Sequence, residues 1–361
     1  MNKNYYAIIL AGGIGSRFWP ISRTSHPKQF IDIIGSGKTL IQDTYQRLSK
    51  TCPKENIFIL TNENYTQLVK EQLPDITDQQ ILTEPVMRNT APCIAYGCFK
   101  IESLNPDAVI VVAPSDQQIL DEDAFVGSLE KSLETAAEHQ CLVTLGIKPS
   151  RPDTGYGYIQ YTDAVINNDF HKVKTFTEKP TLEVAKSFIQ SGDFLWNAGI
   201  FVWSARAIVQ AFETYMPDLH NIFADARPVY NTENEATHIN QAYHHCVNTS
   251  IDYGIMEKAD NVYVLPSDFG WSDLGTWASI YELSEKAEAG NAVIPNEKVI
   301  MYNSSDCMVN MPDGKLVILQ GLNNYIVVEA NNTLLICPRD QEQSVKQIVA
   351  DVKSRFGVEY V

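Results

Sequence analysis

The chain has 361 residues, 44% of them hydrophobic and 20% charged, an ordinary globular composition with ample material for a large core. Its 28 Lys and Arg against 44 Asp and Glu leave a net charge of -16, which repels a polyphosphate backbone and excludes nucleic acid as an expected partner. A small anionic substrate stays admissible, because a few cations and a metal ion reverse the potential inside one cleft.

The start, MNKNYYAIILAGG, carries a short apolar run that ends in glycines, too short for a signal segment or a membrane span. It reads as a buried first strand, with no membrane partner expected. Apolar runs at 6–11, 56–61, 107–114 and 141–147 alternate with helical patterns at 39–50, 63–73, 90–103 and 122–138. Continuous rather than alternating apolar runs suit strands covered on both faces, so this half predicts a doubly wound, mostly parallel α/β sheet. Ligands of such sheets gather at the carboxyl ends of the strands.

From about 157 the rhythm changes to GYGYIQY, KVKTFTEKP and LWNAGIFVW, aromatic-rich strands expected to be inserted or antiparallel. After 290 come short strands separated by Asn, Asp and Gly turns, with no room for helices between them. A helix is expected at 340–356, with Val345, Ile348, Val349, Val352 and Phe356 on one face. No internal repeat and no low-complexity linker stand out. Cys52, Cys93, Cys98, Cys141, Cys246, Cys307 and Cys337 are odd in number and contain no C-x-x-C pair, which points to reduced thiols in a cytoplasm.

The sharpest motif is LAGGIGSRFWPISRTSHPKQF at 10–30. A strand runs into Gly12, Gly13 and Gly15, where absent side chains let backbone N–H groups curl around an anion. Arg17 and Lys28 offer two cations to the same phosphates; the plain alternative is a strand-to-helix turn with surface charges. Two decoys fail on one residue each. Gly35-Ser36-Gly37-Lys38-Thr39 has Asp32 where a P-loop needs glycine, and Phe18 stands where the dinucleotide fingerprint needs its third glycine.

In EPVMRNTAPCIA at 84–95, Glu84 and Asn89 have the acceptor and amide that could read a guanine edge, and Arg88 could meet a phosphate or ribose. Asn89 and Thr90 equally suit a helix N-cap. Asp116, in VVAPSDQQI, follows a buried strand and suits Mg²⁺ as a hard oxygen ligand, although a strand-end Asp also forms turns. Asp273, in SDFGWSDLGTW, is a carboxylate on a tight loop. In the middle of the chain, Gly157, Glu178 and Asn197 have the donors and acceptors to meet sugar hydroxyls, and Lys179 a charge for a sugar phosphate. Trp196 and Trp203 read as core. Asp252 and Glu257, in SIDYGIMEK, are explained by a helix N-terminus and surface pairing, and His244, His245 and Cys246 receive no metal.

The first loop resembles the signature of the sugar nucleotidyltransferases, in the version LAGG-x-GSRFWP-x-SR-x-x-x-PKQF of the bacterial mannose-1-phosphate guanylyltransferases. The likeness continues through most of the chain. It implies a Rossmann-like GT-A-type catalytic domain over 1–290 and a small all-β, left-handed β-helix-like region over 291–361. It also implies synthesis of GDP-mannose and diphosphate from GTP and mannose 1-phosphate, with Leu10, Ala11, Gly12, Gly13, Gly15, Ser16, Glu84, Arg88, Asn89 and Thr90 on the nucleotide. Gly157, Glu178, Lys179 and Asn197 then take the sugar phosphate, Arg17 and Lys28 act in catalysis, and Asp116 and Asp273 share Mg²⁺. A homodimer is compatible with this. The family has His where this chain has Gln117.

Some relatives carry a C-terminal isomerase domain, which would need on the order of 100 further residues. After Pro338 one helix and a short tail follow, so isomerase activity is not expected. Two rivals stay open: another sugar 1-phosphate (fucose, heptose or glucose) or another nucleotide, and a regulatory subunit that binds nucleotide sugars without turnover. A Rossmann oxidoreductase is disfavoured by Phe18.

Overall fold

A computed structural model describes residues 1–13, 15–294 and 298–361, with Ser16 and Glu288 described by their backbone alone. It divides into two compact units that interleave in sequence: residues 1–12, 44–115 and 119–271 in the first, and 13–43, 116–118 and 272–361 in the second.

The first unit is built on a nine-stranded sheet. Its order is Ile81–Glu84, Ile57–Asn62, Tyr5–Leu10, Val109–Pro114, Phe194–Ser204, Leu142–Ile147, Val262–Ser267, Phe170–Glu178 and Gly157–Ile166. The four expected early strands exist within two residues of their predicted bounds, and their continuous burial explains the continuous apolar runs. The first four strands of that order pair in parallel as expected, and the aromatic-rich strands after 157 enter the same sheet antiparallel, as expected too. Phe194–Ser204 runs antiparallel to both Val109–Pro114 and Leu142–Ile147, so it separates strands that would otherwise neighbour each other.

Helices Thr90–Leu104 and Glu122–His139 match the periodicity, whereas Leu182–Ser191, Ala205–Tyr215, Pro217–Ala224 and Glu235–Tyr243 fall between and after the aromatic-rich strands, where no element is assigned from sequence. The main core joins strand residues such as Ile8, Leu60 and Val112 to Phe99, Phe212 and Phe223 on those helices.

In the second unit the strands after 290 pair mainly in parallel, Ala292 beside Met308 and Met308 beside Ile326, with Val299 beside Val317. Rungs about 18 residues apart, counted from Met308 to Ile326, are the mark of a coiled β-helix-like region. Thr333–Pro338 closes it antiparallel. Helix Val345–Phe356 buries Val345 and packs Ile348, Val349 and Val352 against the core, but Phe356 is exposed in its last turn, contrary to the predicted face. The core here also takes Phe18, Trp19, Ile33 and Leu40, so the segment after the glycine turn folds with the C-terminal residues. Among the described residues no helix is long and apolar enough to cross a membrane.

Candidate functional site

In the second unit, Lys28 is a buried ammonium. It lies 3.0 Å from Asp116 Oδ2 and donates to the main-chain oxygens of Asp273 at 3.2 Å and Leu274 at 3.0 Å. Asp116, by its carboxylate, and Asp273, by its main-chain oxygen, are 157 residues apart in sequence and thus meet at one ammonium. Gly15 explains how the lysine reaches them. Its φ is +64°, and a Cβ there would sit 2.7 Å from Lys28 Cγ, so the stem passes through the space a side chain would fill. Gln29 holds the same turn by donating to Gly13 O at 2.9 Å.

The Asp273 carboxylate accepts from Gly275 N at 2.9 Å, which fixes its loop. Arg17 lies in a 3₁₀ turn, and its Nε is buried without a hydrogen-bond partner. Glu342 faces the Arg17 charge and accepts from Ala278 N at 2.9 Å. The side chain of Ser16, a predicted nucleotide contact, lies outside the described atoms.

Asp116 offers a partly exposed carboxylate, and Asp273 carries its carboxylate on the loop whose main-chain oxygens receive Lys28, both hard-oxygen ligand types. As ligand types the two carboxylates suit a divalent ion that takes its remaining ligands from phosphate and water. Among the described residues no group of three or more His, Cys, Asp or Glu side chains is gathered for a metal.

In the first unit, Leu10 and Ala11 end the first strand: Leu10 O accepts from Ser115 N at 3.0 Å, and Ala11 O from Thr61 Oγ1 at 2.9 Å. Gly12 faces Glu84, whose Oε2 would lie 3.6 Å from a Cβ at position 12. Glu84 is buried, and its Oε1 has no hydrogen-bond partner. Burial pushes its carboxyl up to about 7, only partly offset by the nearby Tyr243 hydroxyl.

Asn89 does cap helix Thr90–Leu104, accepting from Thr90 N at 2.9 Å with φ of 65°. Thr90 Oγ1 accepts from Ile251 N at 2.9 Å, a structural tie. Arg88 has a buried Nε without a partner and stands near enough to Cys246 to oppose the upward shift of that thiol. All seven cysteines are buried thiols.

The sugar candidates also converge in the first unit. Gly157 pairs with Glu178 across the strands, and a Cβ at 157 would collide with Glu178 Oε2 and lie 3.4 Å from Asn197 Cβ. Lys179, with φ of 48°, pairs with Glu178 Oε1 at 2.9 Å and is largely exposed. Asn197 Nδ2 donates to Asp252 Oδ1 at 2.8 Å. Asp252 had no role in the sequence reading; its only signal was a carboxylate two residues after Ser250 in SIDYGIMEK.

Residues 6–290 match the nucleotidyl transferase family, and residues 297–352 the mannose-P isomerase/GMP-like beta-helix domain. The chain is 36% identical to the alginate biosynthesis protein AlgA of Pseudomonas syringae pv. tomato, over 98% of this chain and 72% of that protein. It is 35% identical to a mannose-1-phosphate guanylyltransferase of Salmonella montevideo, over 98% of this chain and 75% of that protein. Among solved structures it is similar to one described as a mannose-1-phosphate geranyltransferase from Thermus thermophilus. There the TM-score is 0.85 at 27% identity, covering 97% of this chain and 99% of that one.

Proposed function

The chain belongs to the nucleotidyl transferase family, and from that membership we propose that it makes GDP-mannose and diphosphate from GTP and mannose 1-phosphate. The observation that carries this is Lys28, beside the Gly15 turn, joining the Asp116 carboxylate to the main chain of the Asp273 loop. That arrangement suits phosphate chemistry and gives no nucleophilic side chain a task.

In the reaction, a phosphate oxygen of mannose 1-phosphate forms a new bond to the α-phosphorus of GTP, and the bond to the departing diphosphate breaks. The attacking oxygen is already ionised, so catalysis consists of positioning two anions and neutralising charge. Asp116 and Asp273 would hold Mg²⁺, which supplies positive charge to the phosphate oxygens when bound.

Backbone N–H groups of Gly12, Gly13, Gly15 and Ser16 are assigned to phosphate, and Arg17 to the charge that grows in the transition state. The Lys28 ammonium spends its three donors on Asp116, Asp273 and Leu274, so its part is to hold that loop and add its field. Glu84 and Asn89 are assigned to the guanine edge, with Arg88 and Thr90 beside them. Gly157, Glu178, Lys179 and Asn197 are assigned to the sugar phosphate.

Residues 1–290 serve in this proposal as the catalytic part and 291–361 as its β-helix-like companion. Seven buried thiols support a cytoplasmic location. Exposed Ile300, Tyr302, Leu316 and Ile318, on or beside paired strands, support a homodimer through that face. The test is direct: purified protein with GTP, mannose 1-phosphate and Mg²⁺ should form GDP-mannose, identified by mass, and no product would refute the proposal.

A further inference from the structure

We propose that Asp252 is a positioning residue for sugar recognition, fixing the Asn197 amide so that one N–H remains for an oxygen of the sugar phosphate. This rests on the sugar-binding role assigned above to Asn197.

The pairing of Leu142–Ile147 with Phe194–Ser204 slips between Thr144 and Gly146: Thr144 lies opposite Phe201, but Gly146 lies opposite Asn197. The extra residues form a bulge, the kind of irregularity that re-aims a side chain. Gly146 is required there, since a Cβ would sit 2.6 Å from both Leu195 and Val264 side chains.

The Asn197 amide closes this bulge. Its Oδ1 accepts from Gly199 N at 3.0 Å and lies 3.2 Å from the fully buried Thr144 Oγ1, whose single proton it shares with Ile200 O at the same distance. A backbone N–H can only donate and an ionised carboxylate can only accept, so Gly199 and Asp252 together dictate which end of the amide is which. With Nδ2 donating once to Asp252, one N–H of Nδ2 is left over. The missing side chain of Gly157 opens space beside Asn197 Cβ, where Glu178 also lies.

Asp252 itself accepts from Ser250, and its carboxyl is pushed up to about 6 by burial and by the like charge of Glu178. Glu257 is the other acid facing it, itself raised by burial, Asp252 and Glu178 and opposed by Lys258. Lys179 neutralises Glu178 from outside. As pH falls through about 6, Asp252 takes up a proton and its bond to Asn197 weakens from a charged to a neutral one.

The experiment compares wild type, Asp252→Asn, Asn197→Ala and the double variant in pyrophosphate release between pH 5 and 8. Asp252→Asn should raise KM for mannose 1-phosphate about tenfold at pH 8 and leave KM for GTP within about twofold, as expected for one charge-assisted bond. In the Asn197→Ala background the same change should add nothing, because Asp252 acts through that amide. The sugar phosphate titrates in the same window, so the pH test is the ratio of the two sugar KM values, which should shrink toward one as pH falls to 5.

Ser250→Ala, which removes a bond to Asp252 and keeps its charge, should shift the sugar KM in the same direction by less. Full additivity in the double variant, or a constant ratio across pH, overturns the inference. Absence of turnover by the wild type with every substrate pair would sink the functional reading instead, which separates the two failures.

Discussion

Glu84 combines a buried carboxyl with an unpartnered oxygen, and its raised pKa converts directly into a pH dependence of stability. Its folded value of about 7 exceeds the ordinary 4.5, so the folded state holds the proton more tightly. That stabilisation is complete below about 4.5 and lost as pH rises through 7. Glu84→Gln removes the titration. Its unfolding free energy in urea should therefore gain on the wild type between pH 5 and 8, by on the order of 3 kcal/mol at most. Parallel curves would mean that Glu84 is effectively solvated.

Arg17 also holds a buried donor, Nε, without a hydrogen-bond partner. If it meets charge that grows during transfer, Arg17→Ala should lower kcat about a hundredfold even at saturating substrates. An unchanged kcat with a raised KM would reduce it to a ground-state clamp.

At the scale of elements, the glycine turn and the lysine it admits behave as one part. Gly15→Ala adds a Cβ in a left-handed conformation and 2.7 Å from Lys28 Cγ, so both the turn and the lysine must shift. A loss of about 1–3 kcal/mol in stability is expected, with a matching fall in kcat as the Asp116 and Asp273 loops lose their tie. Thermal melts and steady-state rates of the same preparation check both.

In the first unit, helices Thr90–Leu104 and Glu235–Tyr243 are joined by a buried pair, with Lys100 Nζ 2.6 Å from Glu235 Oε2. Glu235 also accepts from Tyr96 OH at 2.6 Å and Asn231 N at 2.6 Å. Glu235→Ala leaves the ammonium buried alone, so a loss of about 3–5 kcal/mol is expected in urea melts. A loss under about 1 kcal/mol would show that water reaches the lysine.

At the scale of the whole molecule, the early strands and helices were legible because burial on both faces leaves continuous apolar runs. So were the glycine turn and the strand-end Asp116. The four helices between 182 and 243 were not, because the aromatic strands around them dominated the reading. Nor was the folding of residues 13–43 with 272–361, which depends on contacts such as Trp19 Nε1 donating to Tyr360 O at 2.6 Å, invisible to local periodicity. Asp252 was missed because its meaning comes from a bulge in a different strand.

The same long-range closure underlies the metal proposal. Asp116→Asn and Asp273→Asn should each abolish most turnover without unfolding the chain, and their combination should cost little more than either alone. Raised Mg²⁺ should partly rescue each single variant, whereas additive losses without metal dependence would separate the two carboxylates.

The central claim is that this chain joins GTP to mannose 1-phosphate, and a matrix of nucleoside triphosphates against sugar 1-phosphates, scored by pyrophosphate release, tests it most directly. The account predicts the highest kcat/KM for GTP with mannose 1-phosphate, and loss of release when Mg²⁺ is chelated. A higher value for another base or another sugar, or release from no pair at all, would contradict it.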